Sequence, residues 1–428
     1  MNQILKLGQV VKTETTKKDA RVDSFLGGGG QGEVYRATFD GAPVALKWYF
    51  PQTGSRDQRG ALELVVKKGA PDSRFLWPIE LATARGVPAF GYIMPLRPAN
   101  YKSIVDLMKR RAEPTFRALA TAGFQLADSF LQLHAKGLCY RDISFGNVFF
   151  DPKSGDVLIA DNDNVGVEGA TRAGVLGTPR FMAPEVVRGD AMPSTQTDLF
   201  SLAVLLFYML MVHHPLEGHK ELDIKCLDLP AMNKLYGTEP VFIFDPQDAS
   251  NRPEPGYHDN AIAFWPIYPQ FIRDPQHGRV RESEWRAAMI RLRDSILYCG
   301  NCGAENFYDA DTLKASGGQP GVCWSCGKSL ALPFRLQVNR NTIMLNYDTQ
   351  LYPHHVDDNR LYDFSAPLAE ITRHPTNPNV WGLKNLSSGK WVTTTAEGVV
   401  HDVEPGRSVS LAPGTRINFG KAEGEVRL

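Results

Sequence analysis

The sequence contains no hydrophobic run long enough to cross a membrane. Its longest, Leu199 to Val212, holds 14 residues, against the roughly 20 that span a bilayer. A buried core helix is expected there, headed by the polar stretch STQTD. Neither charge is in excess, since Lys+Arg and Asp+Glu both total 47. No nucleic-acid partner and no membrane association are expected from that balance. The N-terminal stretch MNQILKLGQVVKTETTKKD lacks an apolar signal core, so a cytoplasmic location is expected. There is no internal repeat and no long low-complexity segment. Cysteine is scarce, with 6 residues in 428. Cys139 and Cys226 stand alone, while Cys299, Cys302, Cys323 and Cys326 form two CxxC pairs. Without an export signal, that pattern favours metal over disulfides.

What is present is enough chain for two to four domains, with the 43% hydrophobic and 22% charged content of a soluble globular protein. Residues 24–50 read as strands broken by a glycine cluster and by Asp40-Gly41, a hairpin dipeptide. Residues 57–69 suit a short helix with a glycine stop, and 87–96 return to strand. From about residue 100 the apolar spacing becomes helical, up to SEWRAAMIRLRDSILY. The stretch 228–280 reads as ordered loops. Beyond the cysteine pairs, short strands and turn signals predict an all-β tail.

Gly27, Gly29, Gly32 and Val34 satisfy GxGxxGxV within LGGGGQGEV. Glycines let a backbone lie close over phosphates with its amides available. The same four-glycine run also fits a flexible turn. VALK, Val44 to Lys47, follows on a predicted strand, whereas a Rossmann or Walker loop would lead into a helix. Glu63 falls on the predicted helix, where it could pair with Lys47. Asp142 and Asn147 have the spacing Asp-x-x-x-x-Asn, which places a base beside a metal-binding amide oxygen. Asp161 follows at the end of a predicted strand, then GTPRFMAPE from Gly177 to Glu185, then Asp198.

In that order and spacing, residues from about 20 to 296 resemble a eukaryotic-type protein kinase domain of the kind found in bacteria. The resemblance implies an N-lobe over 1–96 and a C-lobe over 97–296. It implies ATP and Mg²⁺ as cofactors, with Lys47 on the α/β-phosphates and Glu63 anchoring Lys47. Asp142 would orient the acceptor hydroxyl, and Asn147 and Asp161 would carry the metal ions. Val34 and Ala45 would sit above the adenine and Phe149 beneath it, with Met94 near its edge. Thr178, in GTPRFMAPE, would support the catalytic loop and implies Ser/Thr rather than Tyr as acceptor. Phosphorylated Thr171 or Thr178 could fill a pocket at Arg141.

Several positions depart from the family's pattern. Tyr140 stands for the usual His, in a place where an aromatic side chain can substitute. Asp161-Asn162-Asp163 stands for Asp-Phe-Gly. Asn162 cannot fill an apolar slot, and Asp163 lacks glycine's freedom at positive φ. Asp163 is expected to form a turn, with metal ligation as the alternative. Ser144 replaces a Lys that steadies the transferred phosphate, a loss of about 10²–10³ in rate. Because Lys47, Asp142, Asn147 and Asp161 all remain, an active kinase is expected. A non-catalytic ATP-binding scaffold, docking partners through its C-terminal modules, is the alternative.

YCGNCGAEN and VCWSCGKSL are two CxxCG turns, and four thiolates so spaced suit tetrahedral Zn²⁺ in a closed, structural site. Redox-active CxxC pairs are the competing reading. Residues 297–332 resemble a zinc ribbon, and 333–428 faintly resemble an FHA domain, an all-β sandwich that reads phosphothreonine. The family's phosphate-gripping Arg is missing near Asn346-Tyr347, and Tyr352 replaces a Ser. His355 and Asn385 match its loop-bracing positions, and the pair His354-His355 reads as surface loop histidines rather than a metal site. The fold class is thus multidomain α+β: a two-lobed kinase-like fold, a zinc ribbon and an all-β sandwich. That order is similar to bacterial kinases that accompany PPM-type phosphatases and von Willebrand A (vWA) proteins. It implies such partners besides protein substrates.

Overall fold

The computed structural model describes residues 3–168, 177–253, 278–377 and 379–428. They form two compact units that divide between Ala287 and Ala288.

The first unit opens with strands β1 (Val10–Thr13), β2 (Asp19–Gly28), β3 (Gly32–Phe39) and β4 (Ala42–Tyr49). Helix α1 (Arg56–Lys68), β5 (Glu80–Thr83) and β6 (Gly91–Pro95) follow. The strands close into a barrel of order β1-β2-β3-β4-β6-β5. Alternation along the strands sends Val22, Tyr35, Ala37, Leu46 and Trp48 into one core. Asp40 and Gly41 turn β3 into β4 with φ of 52° and 78°, the left-handed pair a tight hairpin needs. Ser55 caps α1 by accepting from the Gln58 amide, and Gly69, at φ 68°, ends it. The buried face of α1 is Leu62 and Val65.

The remainder of this unit is mainly helical, with short strands between its helices. Strand β7 (Lys102–Ser103) leads into α2 (Ile104–Met108), and α3 (Phe116–Ala135) follows. Short strands β8 (Leu138–Cys139), β9 (Val148–Phe150), β10 (Val157–Ile159) and β11 (Gly166–Val167) frame the loops that hold Asp142, Asn147 and Asp161. After α4 (Pro184–Val187), the long apolar run forms α5 (Thr195–Met211), capped by a reciprocal Ser194–Thr197 box and almost wholly buried. The Glu185 carboxylate takes two bonds of 2.8 Å from the Arg279 guanidinium, and the arginine side chain is buried. The paired charges and fork geometry make that burial tolerable.

The stretch expected to be loops from residue 228 contains short helical turns instead. These are α7 (Leu229–Asn233), preceded by α6 (His219–Leu222), and a wider turn over Lys234–Thr238. Asp228 caps α7 and Pro230 sits in its first turn. Cap and proline chemistry, not apolar periodicity, writes such short helices. Residues 254–277 lie outside the described residues. Helix α8 (Glu282–Asp294) contains the divide between the units.

The second unit begins with an antiparallel pair, β12 (Ile296–Tyr298) and β13 (Glu305–Phe307), then α9 (Ala310–Ala315). Ten further strands make two antiparallel sheets of six and four. Leu336, Ile343, Val403, Ile417 and Val426 of the larger sheet share a core with Leu351, Ile371 and Leu383 of the smaller. The arrangement is a β-sandwich. Among the described residues, no helix is long and apolar enough to cross a membrane.

Candidate active site

Lys47 lies on β4 with 4% exposure, so its ammonium must be paired. Its Nζ is 2.8 Å from Asp163 Oδ2 and 3.4 Å from Asp161 Oδ1. It also donates to Gln31 Oε1, 3.1 Å away, at the tip of the glycine turn. Burial opposes the charge on Lys47, but Asp163 and Asp161 outweigh it and hold the ammonium above its ordinary value. Burial pushes the Asp161 carboxyl up and Lys47 offsets this, while Asp163 and Asp142 push it higher. Two carboxylates thus converge on one ammonium, an oxygen-rich donor set that suits Mg²⁺.

The turn between β2 and β3 carries the glycines. Gly27 pairs with Val34 across the strands, and a Cβ at Gly27 or Gly29 would meet nothing. Gly32 is different: a Cβ there would lie 2.1 Å from the Trp48 carbonyl oxygen. Packing against β4 therefore demands that glycine, whatever the loop covers. Val34 packs against the cluster that contains Ala45 and Met94, and Ala45 pairs with Met94 between β4 and β6. Phe149 lies on β9, with the Arg97 guanidinium over its ring at 4.2 Å.

The loop between β8 and β9 holds Asp142. Thr178 Oγ1 donates to Asp142 Oδ1 at 2.9 Å. Asn147 Nδ2 donates to the Asp142 carbonyl at 2.8 Å and to Oδ2 at 3.3 Å. With its amide nitrogen so occupied, Asn147 offers its carbonyl oxygen to a cation. Tyr140 is fully buried, and its hydroxyl donates to the Ala160 carbonyl, next to Asp161. Asp198, at the head of α5, accepts from the backbone amides of Tyr140 (2.5 Å) and Arg141 (3.0 Å). Arg141 lies at φ 75°, a strained value that those amide bonds help hold. Ser144, two residues after Asp142 in the same loop, is buried, with 9% exposure. Thr171 lies outside the described residues.

Glu63 does not anchor Lys47. Its side chain is exposed and pairs with Arg59 at 3.2 Å, one helical turn away. Helical phase explains the correction: Leu62 and Val65 face inward, so the position between them faces out. The inward residue one turn before Leu62 is Gln58, whose Nε2 lies 3.2 Å from both Tyr49 Oη and the Asp163 carbonyl. Asp163 does not occupy a positive-φ turn. It lies in a 3₁₀ turn over Asn162–Asn164, and Asp161 takes the left-handed conformation instead, at φ 49°. Asn162 is buried as a polar group, donating to the Leu76 and Ile159 carbonyls at 2.9 Å each. A cavity of about 580 Å³ runs beside α1, lined by Gln31, Tyr49, Gln58, Arg141 and Asp163 among others. Val34, Ala45 and Met94 do not line it.

His134 on α3 was not singled out by sequence. Its ring meets the carboxylates of Asp198, 3.2 Å away, and Glu282. Burial alone would push the imidazolium down, but the two carboxylates outweigh it and hold it up to about 9. A raised value stabilises the fold fully below the ordinary 6.5, and that contribution is lost as pH rises through about 9. The thermal midpoint of the protein should fall between pH 6.5 and 9, and His134→Gln should flatten that slope. An unchanged slope in the variant, read by calorimetry, would contradict the assignment.

In the second unit, the four cysteine sulfurs lie within 4.8 Å of one another. Cys299 Sγ is 3.7 Å from Cys326 Sγ, and Cys302 Sγ is 3.7 Å from Cys323 Sγ. A tetrahedral Zn²⁺ with bonds of about 2.3 Å requires sulfurs about 3.8 Å apart. All four sulfurs, across the knuckles as well as within them, thus share one small volume, which favours one metal over two separate redox pairs. Gly303 and Gly327, at φ 75° and 68°, let each knuckle fold back on itself. Asn301 and Asn306 point side-chain amides at Cys326 and Cys323, bonds that suit thiolate acceptors. His354 and His355, expected on the surface, are 8% and 4% exposed. His355 accepts from the Tyr352 amide at 2.8 Å and faces Asp294 at 3.3 Å. Asn385 is buried and donates to the Gly389 and Val403 carbonyls.

Residues 20–255 match the protein kinase domain family, more than half of the chain. The chain therefore belongs to the protein kinase family. It is 27% identical over 278 residues to the DNA damage-responsive serine/threonine-protein kinase RqkA of Deinococcus radiodurans, covering 62% of this chain and 39% of that protein. It is 27% identical to the L-type lectin-domain containing receptor kinase I.8 of Arabidopsis thaliana, over 48% of this chain and 32% of the relative. A probable serine/threonine-protein kinase of Zea mays, CCRP1, is 31% identical over 27% of this chain and 19% of its own length. The chain spans between about a fifth and two fifths of these relatives.

Proposed function

We propose that the chain is an ATP- and Mg²⁺-dependent protein kinase that transfers the γ-phosphoryl group to Ser or Thr. Its substrates would be proteins, itself included, in cytoplasmic bacterial signalling. The observation that carries this reading is the convergence of Lys47 and Asp161, together with an Asp142 braced by Thr178 and Asn147.

Lys47 would hold the α- and β-phosphates as a fixed ammonium. Gly27, Gly29 and Gly32 would bring backbone amides over them. Val34, Ala45, Met94 and Phe149 would enclose the adenine. Asn147 and Asp161 would hold Mg²⁺, which when bound neutralises charge on the phosphates. Asp142 would accept the hydroxyl proton of the acceptor on Oδ2, which takes only a long 3.3 Å bond from Asn147, while Thr178 fixes Oδ1 at 2.9 Å. Ser144 supplies no cation at the transferred group, so turnover should be slow for the family. The lobes would be 1–96 and 97–296. A Zn²⁺ ribbon over 297–332 and an FHA-like sandwich over 333–428 would dock proteins such as a PPM-type phosphatase and a vWA protein. With Tyr352 in place of the phosphate-binding Ser, phosphothreonine need not be the docked group.

Labelled ATP with Mg²⁺ should transfer phosphate to the protein itself or to a generic Ser/Thr substrate. The second reading, a nucleotide-binding scaffold, is favoured by Ser144 and by the Gln31 side chain resting on Lys47. It would be chosen if Mg-ATP raises the thermal midpoint but no label transfers.

A further inference from the structure

We infer that Asp163, with Tyr49 and Gln58 behind it, is the positioning residue for Lys47, in the role that a glutamate of α1 was expected to fill. This rests on reading Lys47 as the phosphate-holding ammonium.

Lys47 and Tyr49 sit two residues apart on β4, so both side chains leave the same face of the strand. Asp163 meets both: one carboxylate oxygen is 2.8 Å from Lys47 Nζ, and the Tyr49 hydroxyl donates to that carboxylate. The Asp163 side chain is fully buried, which shields it from bulk water. Burial and the neighbouring carboxylate keep the Tyr49 phenol far above its ordinary value, so it remains a donor. Gln58 closes the arrangement from α1 with its two amide contacts. It brings no charge, so it can brace the pair but cannot replace it. Glu63, on the opposite face of α1, is already committed to Arg59, which also pairs with Glu14.

The backbone permits this because the 3₁₀ turn at 162–164 needs no glycine. A carboxylate can therefore stand where the family's triplet has none. The consequence is mechanical. The lysine is registered to the same short turn that carries Asp161, rather than to α1. Ammonium and metal-binding carboxylate would then move together, and displacement of α1 would leave their separation unchanged.

The test reads Lys47 directly, so that it does not depend on catalysis. The ε-amine is acetylated in the full-length protein at pH 8, and its labelling rate is followed by mass spectrometry. Asp163→Asn should raise that rate about tenfold, the equivalent of a 1.4 kcal/mol weaker hold, and Tyr49→Phe should raise it less. Glu63→Gln should leave it unchanged. Adding Gln58→Glu to Asp163→Asn returns a carboxylate to the inward face of α1 and should recover part of the protection. If the protein proves active, Asp163→Asn should raise KM for ATP more than it lowers kcat, the pattern of a lost ground-state hold. Wild-type labelling in Asp163→Asn, or accelerated labelling in Glu63→Gln, overturns the inference. Should the Asp163→Asn variant lose its fold by circular dichroism, Tyr49→Phe decides by the same readout. A protein that neither binds Mg-ATP nor transfers phosphate defeats the kinase proposal, while the labelling rates still judge the clamp.

Discussion

Asp142→Asn should lower phosphoryl transfer by about 10²–10⁴-fold, the usual worth of a positioned general base, and leave nucleotide binding intact. The two halves of that expectation have separate physical sources. The amide cannot take the hydroxyl proton, so the chemical step suffers. The loop itself should hold, because Asn147 donates chiefly to the Asp142 backbone carbonyl, which the substitution leaves in place. The oxygen of the substituted amide can still accept from Thr178, where the carboxylate oxygen accepts now. The shift in thermal midpoint caused by a Mg²⁺-bound, non-hydrolysable ATP analogue should therefore match wild type. A variant that transfers phosphate at more than a tenth of the wild-type rate would remove Asp142 from the chemistry.

Stripping metal should unfold the proposed zinc site at Cys299, Cys302, Cys323 and Cys326 and the segment around it. A structural zinc contributes about 10–16 kcal/mol at neutral pH, more than a domain of this size stores otherwise. Apolar side chains of that segment, Val322 and Trp324 among them, are exposed rather than packed into a core. Purified protein should carry one zinc per chain. A strong chelator, or Cys323→Ser, should abolish the near-ultraviolet signal of Trp324, whose ring nitrogen donates to the Glu305 carbonyl at 2.6 Å. Comparison with Trp324→Phe isolates that signal from the other tryptophans. Sub-stoichiometric metal together with a signal indifferent to chelator would refute the assignment. In that case the free thiols would titrate without delay.

Fixed-spacing motifs were the legible part of the sequence. The glycine turn, Lys47, Asp142, Asn147 and Asp161 each sit where local chemistry dictates a turn, a strand or a loop. Alternation likewise exposed the strands of the second unit. What the spacing could not supply was direction. Glu63 has a fitting separation from Lys47, yet the inward phase of Leu62 and Val65 already turns it away, and that phase was available to read. Asp163 reads along the chain as a missing glycine, because nothing there reveals that Lys47 and Tyr49 approach it from a strand more than a hundred residues earlier. His134 is silent for the same reason: its partners, Asp198 and Glu282, come from two other helices. For the two buried histidines of the sandwich, polarity suggests surface, whereas each has neighbours that satisfy part of its hydrogen bonding.

The barrel is closed by residues that precede the family match. Val10–Thr13 joins β2 to β5, and Leu5, fully buried, plugs the same core. Shortening the protein to begin at residue 20 would therefore do more than trim a leader. It would uncap two rows of unpaired backbone amides and carbonyls and leave Ala20 and Val22 wet. Such borders recruit strands from neighbouring molecules. Polymerisation, rather than simple loss of activity, is what that shortened molecule should display.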